Sequence, residues 1–211
     1  MTTKTITLLG DSIFDNARYV GDEPCVADQI EEGLTDWNVD LRATDGAPVR
    51  EVLTDQLRQK PENGVIVLSA GGNDALNSLH LLEGHTNAWS IEFWRGCYRI
   101  RETFRKDYAQ LLDTLTSYNL PVAVCTIYNP DYSRIVAGKI LQKMAAVGVA
   151  LFNDVIVREA LRRSLHVIDL RDICTTAADF VNVIEPSSIG GRKIADKICA
   201  WAEKSQRHAV A

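Results

Sequence analysis

Ser12 is the side chain from which chemistry is most readily built. It follows Gly10 and Asp11 at the end of the apolar run Ile6-Thr7-Leu8-Leu9, and Ile13-Phe14-Asp15-Asn16 comes after it. An uninterrupted run of this kind reads as a buried strand of a parallel sheet. In open α/β sheets ligands sit at the carboxyl ends of the strands, so Ser12 emerges where a nucleophile is useful. Two further clusters close apolar or alternating runs: Asp45-Gly46, and Gly71-Gly72-Asn73-Asp74. Read singly, the first is a turn and Asn73 is a helix N-cap. Gly46 also lets backbone approach a substrate without an intervening Cβ, and Asn73 carries two uncharged N–H donors. Asp11, Asp15 and Asp74 are read as bracing turns or capping helices.

The elements that must hold these groups alternate along the chain. Strands are expected around residues 6–10, 37–43, 64–70, 121–127 and 166–170. Helical spacing marks 25–34, 49–57, 98–115 and 134–163, with breaks at Gly138 and Gly148, and a final helix follows Gly191. Residues 75–96 and 171–191 read as irregular, and the tail from Ser205 as frayed. Five strands alternating with helices predict right-handed βαβ crossovers and a single α/β domain over residues 1–211. The expected architecture is a flavodoxin-like three-layer sandwich with a five-stranded parallel sheet.

The totals restrict the function. The chain has 211 residues, of which 46% are hydrophobic, and a net charge of −5. With a pI near 5.4 it lacks the basic stripe that nucleic acid requires. Its five cysteines are scattered without a CxxC pair, which fits reduced thiols in a cytoplasmic protein better than a disulfide framework or a zinc site. The first residues lack the apolar region of a signal peptide, and no stretch approaches ~18 consecutive apolar residues, so no membrane span is expected. Phosphate-loop and dinucleotide fingerprints are missing, no His/Asp cluster has metal-ligand spacing, and no cofactor is implied.

Gly10-Asp11-Ser12 with Asp15-Asn16, then Asp45-Gly46, then Gly71-Gly72-Asn73-Asp74, resembles the first three blocks of the SGNH, or GDSL-type, serine hydrolases in order and spacing. The resemblance spans roughly the whole chain. It implies an enzyme acting on small-molecule carboxylic esters or thioesters, with Ser12 as nucleophile. It further implies an oxyanion hole built from the Ser12 and Gly46 backbone N–H groups and the Asn73 amide.

The fourth block departs from that pattern. Where the family places Asp-x-x-His before the last helix, this chain reads Asn182-Val183-Ile184-Glu185, and no Asp-x-x-His occurs anywhere. Glu185 therefore stands as candidate base, with His80 and His85 from the segment after Asn73 as alternatives. His166 reads as structural and His208 lies in the tail. Glutamate is a weaker base than histidine unless burial raises its pKa. The alternative expectation is a catalytically attenuated member that binds an acyl or carbohydrate ligand. Trp89, Phe93, Trp94, Tyr128 and Tyr132 are candidates for lining an acyl pocket, with core packing the competing role.

Overall fold

The computed structural model describes residues 3–78, 90–136 and 138–209, with side chains to residue 206. Five strands form one parallel sheet: β1 (Lys4–Gly10), β2 (Trp37–Leu41), β3 (Val65–Ser69), β4 (Val122–Cys125) and β5 (His166–Ile168). Their spatial order is β2-β1-β3-β4-β5, and every pairing is parallel. The expected three-layer α/β sandwich is the observed one.

Why the strands read as continuous apolar runs is visible in their two faces. Side chains alternate across a strand. Val65 and Val67 of β3 join one core with Ile6 and Leu8, under the helices α2 (Val26–Gly33) and α7 (Ser188–Ala209). Ile66 and Leu68 join the opposite core with Leu9, under α5 (Ile91–Thr116) and α6 (Gly138–Arg162). Both faces are thus buried, and polar alternation would have no solvent to face. Among the described residues there are also three short helices, α1 (Ala17–Val20), α3 (Val49–Glu51), continued by a π-helical turn over Val52–Gln56, and α4 (Gly72–Ser78), and a 3-10 turn at Ala177–Asp179.

Several boundaries differ from expectation. Residues 75–96 are not irregular throughout: α4 runs to Ser78, and α5 already begins at Ile91. The Ser90 hydroxyl caps α5 by accepting from the Phe93 N–H at 3.1 Å, a local signal that fixes the helix start. The Ser187 hydroxyl accepts from the Gly190 N–H at 3.2 Å, so α7 starts at Ser188 rather than after Gly191. That helix continues through the expected frayed tail to Ala209. Gly148 does not break α6, whose first residue is instead Gly138. The helix, by length and composition, is apolar enough to cross a membrane. Here its second half lies on the sheet, with Val149, Phe152, Val155, Ile156 and Ala160 in the core.

Candidate active site

The carboxyl end of β1 is held by contacts that leave little freedom. Gly10 adopts φ +131°, and a Cβ there would lie 1.7 Å from the Ser69 carbonyl oxygen. Only glycine allows β1 and β3 to approach so closely at this point. The Gln56 amide clamps the same residue from both sides. Gly10 N–H donates to Gln56 Oε1 at 2.8 Å, and Gln56 Nε2 donates to the Gly10 carbonyl at 2.7 Å. Asp11 then turns the chain, its carboxylate accepting from the Ile13 N–H at 3.2 Å, and Ser12 is carried on that turn.

The fourth block reaches Ser12 from the other end of the sequence. Residues 179–187 fold back on themselves through a bridge between Phe180 and Pro186 and a Val181 N–H to Glu185 carbonyl bond of 2.9 Å. Asn182 braces this hairpin, its Oδ1 accepting from the Ile184 and Glu185 N–H groups at 2.9 Å each. Tyr128 is buried, and its hydroxyl donates to the Ile184 carbonyl. Asn16 ties the hairpin to the Ser12 turn: its Nδ2 donates to the Pro186 carbonyl at 3.3 Å, while its Oδ1 accepts from the Val26 N–H at 3.0 Å. The outcome is that Ser12 Oγ donates to Glu185 Oε1 at 3.2 Å.

The electrostatics around that bond are unusual for carboxylates. Glu185 is only 4% exposed. Burial raises its pKa above the ordinary glutamate value, with Asp45 adding to the rise and the Ser12 hydroxyl and Arg18 opposing it. Its second oxygen, Oε2, is buried and has no hydrogen-bond partner among the described residues. Asp11 is 3% exposed, and burial pushes its carboxyl up to about 7, against the pull of the Ile13 N–H and with help from the Glu185 and Asp74 charges. Two buried carboxyl groups that feel each other do not ionise together easily. Asp11 is therefore the one that keeps its proton longer.

The other expected site residues assemble nearby. Gly46 has φ +83°, a left-handed conformation that favours glycine. The loop holding it is linked to the Ser12 turn by the Asp45 N–H, which donates to Asp15 Oδ2 at 2.9 Å. Arg18 and Tyr19 engage the Asp45 carboxylate from outside. Asn73 lies in the first turn of α4, and its Nδ2 donates to the Ala47 carbonyl at a long 3.4 Å, which sets the amide beside the Gly46 loop. Among the described residues, neither the Ser12 N–H nor the Gly46 N–H donates to a protein acceptor. Asp15 and Asp74 do brace turns, Asp74 by accepting from the Val49 N–H at 3.0 Å.

The alternative bases fare differently. His80 and His85 lie outside the described residues, as does Trp89. His166 opens β5 at the end of the sheet away from Ser12, its ring stacked on Trp201 at 5.9 Å. His208 falls in the last turn of α7. Tyr128 packs edge-on against Phe180 in the core, while Trp94 is largely exposed. Three contributors escaped the sequence reading: the neutral-leaning Asp11, the Gln56 clamp and the Asn16 tie. Gln56 left a trace, a polar residue on the apolar face formed by Val49 and Val52. Among the described residues no group of three or more His, Cys, Asp or Glu side chains could hold a metal.

Comparison with known proteins follows the same lines. The sequence profile of the GDSL-like lipase/acylhydrolase family matches residues 8–184, ending one residue before Glu185. Among solved structures, the lipase Lip_vut3 from a goat rumen metagenome superposes with a TM-score of 0.70 at 21% identity, covering 94% of this chain and 97% of its own. An extracellular lipase from Streptomyces rimosus gives 0.69 at 17% identity, covering 94% and 99%. Phospholipase A1 from Streptomyces albidoflavus NA297 gives 0.68 at 14%, covering 93% and 99%. No curated protein matches the sequence.

Proposed function

Since the chain belongs to the GDSL-like lipase/acylhydrolase family, we propose that it hydrolyses carboxylic esters or thioesters through a Ser12 nucleophile with Glu185 as general base. One observation carries this reading: the 3.2 Å hydrogen bond from Ser12 Oγ to a buried glutamate oxygen. Burial supports the role, because raising the pKa of Glu185 brings it closer to that of a useful base. The Ser12 proton passes to Glu185 as Oγ bonds to the substrate carbonyl carbon. The oxyanion so formed is met by the Ser12 and Gly46 N–H groups and the Asn73 amide. Glu185 returns the proton to the departing alkoxide or thiolate, leaving an acyl-serine. Water, deprotonated by Glu185, then attacks the acyl carbon, and the carboxylic acid leaves as Ser12 regains its proton. The five cysteines, all free, support a cytoplasmic site of action.

Hydrolysis of short p-nitrophenyl esters tests the proposal. Ser12→Ala is expected to abolish turnover, and Glu185→Gln to lower kcat by about 10²–10⁴. Equal rates for wild type and Ser12→Ala would overturn it. The solitary Oε2 of Glu185 favours a second reading, in which nothing orients the base and the protein is an attenuated member that binds an acyl or carbohydrate ligand. In that case a fluorophosphonate leaves Ser12 unlabelled while such a ligand still raises the Tm.

A further inference from the structure

The two long helices on one side of the sheet extend well past it. At 26 residues, α5 is about 39 Å long, whereas the five residues of β3 span roughly 17 Å. Both α5 and α6 run from the strands' carboxyl ends, where Ser12 opens, to their amino ends. They lie parallel and in register, pinned by Arg101–Asp154 at 2.7 Å, Arg163–Asp113 at 2.8 Å and a Phe104–Phe152 ring contact at 4.8 Å. The same register brings the start of α5 level with the first half of α6.

That overhanging end is apolar on its solvent side. On α5, Ile91, Trp94 and Tyr98 are 59%, 61% and 64% exposed, at the i, i+3, i+7 spacing of one helix face. They border an open depression of about 700 Å³ that Glu92, Arg95 and Arg99 also line. On α6, Ile140, Met144 and Val147 are 64%, 65% and 69% exposed, again on one face. Large side chains gathered in this way mark an interaction surface rather than ordinary surface scatter.

The charge around the patch indicates its partner. The chain as a whole carries −5, yet from residue 132 to 153 it has Arg134, Lys139 and Lys143 and no carboxylate. Arg95, Arg99, Lys139 and Lys143 are exposed, and none of them forms an ion pair among the described residues. The patch also adjoins the catalytic hairpin: Arg134 donates to the Ala177 and Val181 carbonyls at 2.9 and 3.3 Å, and the Asp131 N–H to the Val183 carbonyl at 2.8 Å. We propose that the overhanging ends of α5 and α6 form a docking face for an anionic phospholipid surface. The aliphatic and aromatic side chains enter the headgroup boundary and the four cations lie against its charge, as amphipathic helices bind membranes. The docked protein then holds the rim of the Ser12 cleft against the lipid.

Sedimentation of the full Ser12→Ala chain with vesicles tests this without turnover. Binding to phosphatidylglycerol vesicles is expected, with much weaker binding to phosphatidylcholine and release by high salt. Met144→Asp/Val147→Asp should abolish binding, and Lys139→Glu/Lys143→Glu should weaken it on the order of tenfold or more, with circular dichroism and Tm unchanged because all four side chains face solvent. Failure to bind phosphatidylglycerol, or equal binding by every variant, overturns the proposal. So does a solution dimer that Met144→Asp/Val147→Asp dissociates in a protein that ignores vesicles, since the face would then belong to a second copy. Hydrolysis of a soluble ester by the Ser12 protein is read separately. Docking without hydrolysis defeats only the hydrolase reading, and hydrolysis without docking defeats only this one.

Discussion

Asp11 stands one residue before Ser12 with its carboxyl buried and pushed up to about 7. In the unfolded chain the same group ionises near its ordinary value of about 4. Between those two values the folded state binds more protons, so this residue's contribution lowers stability as pH rises through the window. Asp11→Asn keeps an oxygen for the Ile13 N–H and removes the titration. Its stability relative to wild type should grow by about 2–3 kcal/mol from pH 5 to pH 8, measured by urea unfolding at both pH values. A constant difference would show that Asp11 ionises normally. In the proposed mechanism, a neutral Asp11 would leave Glu185 to carry the site's negative charge and to take the Ser12 proton.

At the scale of elements, the strand end that carries Ser12 is positioned by a short helical segment. The π-helical turn after α3 ends on Gln56, which is buried and whose amide bonds both backbone groups of Gly10. π turns recur at functional sites, and here the turn supplies the brace for the strand end from which Ser12 departs. Gln56→Ala would strip that brace from buried backbone. The expected cost is about 1–3 kcal/mol, together with a fall in kcat as the Ser12 turn loosens, read by urea unfolding and steady-state kinetics. Wild-type stability in this variant would mean that the strand pairing alone holds Gly10. The hairpin of residues 179–187 plays the matching part for Glu185. Asn182, standing where the family has an acid, spends its side-chain oxygen on two backbone N–H groups and so orders the loop rather than the Glu185 carboxylate.

Across the whole molecule, what the sequence disclosed follows from which forces are local. β1, β3 and β4 were legible because they are buried on both faces and so read as apolar runs, whereas β2 was read from its alternation, being an edge strand that is only half-buried. The starts of α5 and α7 were not legible, because single capping hydroxyls, Ser90 and Ser187, fix them. Glu185 was one candidate partner of Ser12, beside His80 and His85, because it stands where the family resemblance places a histidine; the hydrogen bond between them comes from the fold. The raised carboxyl pKa of Asp11 was not legible, because it depends on burial in the folded chain and on the charges of Glu185 and Asp74, far off in sequence. The Gln56 clamp lay between these cases, marked only by a polar residue on an apolar helix face.

Ser12 and Glu185 meet across a sequence separation of 173 residues, and that distance sets a timetable. Parallel sheets close large loops before their contacts reward them, which makes such pairings late events in folding. The Ser12 turn can form while the last hairpin and α7 are still unplaced, leaving Ser12 without the Glu185 carboxylate. During refolding, hydrolysis should therefore return only with the slowest phase, whereas fluorescence reporting Trp37 beside β1 recovers earlier. Simultaneous recovery of both signals would mean that the sheet and the hairpin dock in a single step.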